Sequence, residues 1–149
     1  MDANKPTFDS LSPERVNALI AEKVMGWHKE FYRYGAEPEY VSPYESWVDA
    51  EGVERKQVLH SIYAQCSCSV FTPMTLLDDC WLVEEKMLST PLNVFDSFLQ
   101  QLSEIVIRDL GGMDYFELSR RQKEVGIKTF HATAKQKCEA MLRAIGEVV

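Results

Sequence analysis

The sequence predicts an α+β fold, a small antiparallel β-sheet accompanied by helices, and three observations carry that expectation. Apolar residues recur at helical spacing in four stretches, each opened by a residue suited to capping. Between Glu30 and Val70 that period gives way to short aromatic and alternating segments broken by Pro and Gly. The connections there are too short for helical crossovers, so the strands are expected to pair antiparallel. With 149 residues, 46% hydrophobic and 26% charged, the chain has enough apolar material for one core. No repeat, low-complexity tract or linker divides it, so 1–149 reads as a single domain, with the polar residues 1–11 expected to be flexible.

The first helix opens at Ser12-Pro13, a cap followed by the proline favoured at the first helical position. Val16, Leu19, Ile20, Val24 and Trp27 form its apolar face, and Gly26 marks its end. Phe31-Tyr32-Arg33-Tyr34 is β-prone, Glu37-Pro38 and Ser42-Pro43 read as breaks, and Trp47-Val48 runs into a turn at Ala50-Glu51-Gly52. Within Val58 to Val70, the residues Ile62, Ala64, Cys66, Cys68 and Val70 alternate as on a half-buried strand.

A second helix starts at Thr72-Pro73 or at Thr75, where Thr75-x-x-Asp78 resembles a capping box. Its apolar side is expected to hold Leu77, Cys80, Trp81, Val83, Met87 and Leu88, with Asp78, Asp79, Glu84, Glu85 and Lys86 mostly opposite. Thr90-Pro91 opens a third helix whose broad apolar face, from Val94 to Leu110, suits either the core or a subunit contact; Gly111-Gly112 stops it. Met113 to Arg121 fits a helix or a strand, and Asp114 as a cap favours the helix. Val125, Ile127 and Thr129 alternate, so Val125 to His131 reads as a strand; Thr133 caps a last helix that ends at Gly146.

The formal charge is -7 and the pI near 5.0, which argues against duplex nucleic acid or an anionic membrane as partner. No apolar run approaches the roughly 18 residues of a membrane span. Cys66, Cys68, Cys80 and Cys138 form no Cys-x-x-Cys pair and follow no secretory signal, so reduced thiols and a cytoplasmic location are expected. There is no Gly-rich phosphate loop, no Gly-x-Ser-x-Gly elbow and no His-x-x-x-His pair, and His28, His60 and His131 lie far apart. The expectation is therefore no catalytic residue, no metal and no cofactor.

Leu19 to Trp27, Phe71-Thr72-Pro73 with Asp78-x-x-Trp81-x-Val83-x-Glu85-Lys86-Met87, and Ala132-Thr133-Ala134-x-x-x-Cys138-x-Ala140-x-Leu142 together resemble the phage ABA-sandwich domain family. The stretch from Pro91 to Arg121 departs from that pattern. The resemblance implies helices on both sides of the antiparallel sheet. Through similar small phage proteins it also implies an anti-defence sponge that sequesters cyclic nucleotide immune signals in the infected bacterial cell without cleaving them. Those signals are the cyclic ADP-ribose type of Thoeris TIR enzymes and also CBASS cyclic oligonucleotides, held by a homo-oligomer, dimer or hexamer.

Such a pocket needs aromatic faces for adenine and cations for pyrophosphate. Trp27, His28, Phe71, Arg120, Arg121 and Lys135 are the residues expected to bind the ligand. Each also has a plain alternative: Trp27 suits the core, Phe71 a hydrophobic staple, and the arginines pairing with acidic neighbours. The competing function is a protein-interaction module that binds a host defence protein and no small molecule.

Overall fold

A computed structural model describes residues 5–34, 42–59 and 70–149. The fold is mixed α+β, and among the described residues helices surround a small three-stranded antiparallel sheet whose strands lie in chain order. Helix α1 (Pro13–Leu19) begins as its sequence dictates, the Ser12 hydroxyl accepting the Arg15 N–H at 3.2 Å. It continues as a wider π turn, Ile20–Val24, and Gly26 at φ 71° takes the chain out, with the Trp27 N–H closing on the Ala21 carbonyl at 2.9 Å. Ahead of it, Phe8 is buried in the core, and the Val149 N–H donates to the Pro6 carbonyl at 3.2 Å.

Strands β1 (His28–Tyr34) and β2 (Ser42–Val48) pair in register from His28↔Val48 to Tyr34↔Ser42. Ser42 and Pro43, expected to interrupt the chain, belong to β2. β3 (Glu54–Gln57) runs antiparallel beside Ser46, Trp47 and Val48, and Pro43 stands opposite Arg33 of β1. The β2–β3 turn forms around Asp49, which accepts the Val53 N–H at 2.8 Å and the Arg55 guanidinium at 2.6 Å. Those donors, Val53 first, hold its carboxyl below the usual range despite burial. Beyond β3, Gln57 and Val70 form a parallel bridge. The alternating strand expected across Ile62 to Cys68 lies outside the described residues.

The chain then turns through residues 72–75 and enters α2 (Leu77–Leu88) later than expected. No Thr75–Asp78 box closes it. Asp79 is turned inward at 1% exposure instead, its carboxylate accepting the Thr72 N–H at 2.8 Å and pairing with Lys56 at 2.7 Å. That corrects its assignment to the solvated face, and it ties α2 to the sheet. Cys80, Val83 and Met87 point into the core, whereas Trp81 and Leu88 of the expected apolar side are exposed.

Helix α3 (Leu92–Asp109) buries Phe98, Leu102, Ile105 and Val106 and lies along α6 (Ala134–Ala144), which also meets α2. Much of its broad face is therefore core. Gly111 and Gly112, both at positive φ, stop α3 as expected. Asp114 caps α4 (Tyr115–Arg120) through the Glu117 N–H, and Thr133 with Gln136 closes a full capping box on α6.

Val125 to His131 is not a strand. It lies in α5 (Gln122–Phe130), which packs on α3. The alternation there was only three residues long, and of those three Val125 alone is buried while Ile127 is exposed. Arg121, at the joint between α4 and α5, reaches Glu117 at 2.9 Å and Glu124 at 2.7 Å.

Candidate functional site

The six residues expected to bind a ligand are not assembled into one site. Trp27 and Phe71 are core, 8% and 2% exposed, and meet edge to face with ring centroids 5.0 Å apart. Neither ring offers an open face for a base. His28 is exposed at the start of β1 and bonds to Glu30 at 3.0 Å. Arg120 is exposed in the last turn of α4. Arg121 is engaged by Glu124 and Glu117, which raise its affinity for a proton, while Arg121 in turn holds the Glu124 carboxyl below its usual range. Lys135 extends over Phe8, with Asp9 3.7 Å away.

A further ionic cluster surrounds Glu139. Glu139 is buried and accepts a bidentate pair from Arg108 at 2.6 and 3.1 Å and another bond from Arg143 at 2.9 Å. Asp109 bonds Gln136 at 2.8 Å beside it, leaving a shallow hollow of about 380 Å³ rimmed by matched charges. Among the described residues, no group of three or more His, Cys, Asp or Glu side chains could hold a metal. Cys80 and Cys138 are free, buried thiols on facing helices. Cys138 donates toward Cys80; this bond and burial push the Cys138 thiol well above the usual value, and the same bond lowers that of Cys80.

What the fold does assemble is an open groove of about 960 Å³ between α2, α3 and α5. It is lined by Trp81 and Leu88 of α2, Phe95 and Leu99 of α3, and Gly126 and Phe130 of α5. Trp81 is 56% exposed, Leu88 69%, Leu99 46% and Phe130 80%. Single exposed apolar residues are ordinary, but four large ones around one concavity are a patch of the kind that marks an interaction site. Polar groups are few: Glu84 with Lys137, paired at 3.0 Å, then Glu85 and His131, the last edge-on to Phe130 with centroids 5.1 Å apart.

Sequence periodicity had placed Trp81 and Leu88 on a core-facing side and Phe130 on a strand, so the groove was missed. Its one sequence signal was the breadth of the α3 face. The class defined by fold and site is a small α+β protein with an open, mainly apolar groove. No protein-family model, curated protein or solved structure matches the chain. Among the described residues, no helix is long and apolar enough to cross a membrane.

Proposed function

We propose that this is a non-catalytic interaction module whose α2–α3–α5 groove docks an apolar segment of a partner protein. The observation that carries this is the exposure of Trp81, Leu88, Leu99 and Phe130 around one concavity. A host defence protein is the partner class that the phage resemblance suggests, and that suggestion rests on sequence motifs alone.

The test uses an intrinsic probe. Trp27 and Trp47 are buried and Trp81 is exposed, so long-wavelength emission comes from Trp81. A synthetic helical peptide with leucines at i, i+3, i+4 and i+7 is expected to shift that emission to the blue, and Trp81→Phe to remove the shift. Phe130→Ala should weaken binding by about tenfold, the effect of one buried aromatic anchor. Sedimentation showing a dimer that Phe130→Ala dissolves would assign the groove to a second copy and overturn the partner reading.

Sequestration of a cyclic nucleotide signal draws support from one different observation: Trp81 and Phe130 offer open aromatic rings to the same groove, where adenine could stack. The lining cation Lys137 is already bonded to Glu84, and Glu85 would face a pyrophosphate, so docking of a protein segment ranks first. Mixing the protein with a TIR-derived cyclic ADP-ribose signal, then heating, distinguishes the two. Capture followed by release of the intact signal supports the sponge; a signal that stays in the ultrafiltrate throughout rejects it.

A further inference from the structure

We infer that the occupant of the groove is an amphipathic helix with a basic flank, laid across α5 at Gly126; this rests on the docking role proposed above. Gly126 sits inside α5 without the positive φ that would require glycine, and a Cβ built there meets nothing within 4 Å. Glycine inside a helix is unfavourable by about 1 kcal/mol relative to alanine. Among the described residues, neither backbone geometry nor crowding accounts for it. Its missing side chain opens the groove wall down to the backbone, which is what the close approach of a second helix uses.

The charge of the partner follows from what surrounds the apolar walls. Glu84 is matched by Lys137, but Glu85 is exposed at the groove and has no partner among the described residues. Helices α2 and α5 also end there, at Leu88 and Phe130, but Lys86 and Lys128 in their last turns offset the partial negative charge of those ends, so the charge presented to an incoming helix is that of Glu85. With a chain carrying -7 overall, lysine or arginine on the flank of the incoming helix is complementary and a carboxylate is repelled.

Two labelled peptides with one leucine pattern, flanked by Lys or by Glu, test this by fluorescence anisotropy together with Trp81 emission. The Lys peptide is expected to bind about tenfold tighter at low salt, with the advantage shrinking at about 0.5 M salt. Glu85→Lys should bring the two peptides within about twofold of each other. Gly126→Ala should raise the melting temperature by about 2–4 °C while weakening the Lys peptide about tenfold. Equal affinity for the two peptides, or a stabilised Gly126→Ala protein that binds unchanged, overturns the inference while the docking groove stands. If neither peptide moves the Trp81 emission, the groove's docking role falls with it.

Discussion

Phe71→Ala is expected to lower the free energy of unfolding by about 3–5 kcal/mol, the cost of removing a fully buried aromatic ring. Phe71 is 2% exposed and lies between elements far apart in sequence, its ring against Trp27 and its N–H donating to the Gln57 carbonyl at 3.0 Å. Truncation therefore leaves a cavity where the end of the first helix, the sheet and the approach to α2 meet. Trp27→Ala should cost a similar amount, and the double variant less than the sum, because the edge-to-face contact is lost only once. Urea unfolding followed by circular dichroism measures all three. A loss under about 1 kcal/mol for Phe71→Ala would mean that the ring is not part of the core.

Asp79→Ala is expected to cost about 3–5 kcal/mol for a different reason. Its carboxylate is the point where three elements are joined: β3 through Lys56 at 2.7 Å, the turn before α2 through the Thr72 N–H at 2.8 Å, and α2 itself. Deleting it removes an anion that offsets a partly buried ammonium and leaves a backbone donor without its acceptor. Asp79→Asn keeps the shape and a neutral acceptor for Thr72, so it should recover part of the loss. If Asp79→Asn and Asp79→Ala unfold at the same denaturant concentration, the hydrogen bond contributes nothing and the charge everything. Lys56→Met in the Asp79→Ala background should recover only part of the loss, because removing both partners of the ion pair is often close to neutral while the Thr72 N–H still lacks its acceptor.

Local chemistry explains which elements were legible from residues alone. Ser12, Asp114 and Thr133 each satisfy backbone donors within three positions, and Gly26, Gly111, Gly112 and Gly146 adopt positive φ where helices end, so neither depends on distant parts of the chain. The 125–131 segment failed because three alternating residues match both periods, and the contact between α5 and α3 selects the helix. Asp79 was placed outward by its charge, an average preference that a lysine and a backbone N–H from other elements reverse. Trp81 shows the converse: its spacing suits a core face, but α2 turns Cys80, Val83 and Met87 to the core and leaves Trp81 exposed among the described residues.

The candidate site divides along the same line. Residue order alone set the capped starts of α1, α4 and α6, the glycine stops after the first, third and last helices, the antiparallel pairing, the acidic charge and the supply of aromatic rings. Only the tertiary structure decided which rings were spent on the core and which were left open. Trp27 and Phe71 close on each other while Trp81 and Phe130 remain around a groove, because burial depends on which faces neighbouring helices happen to cover, a property of packing across the whole chain that residue spacing does not carry.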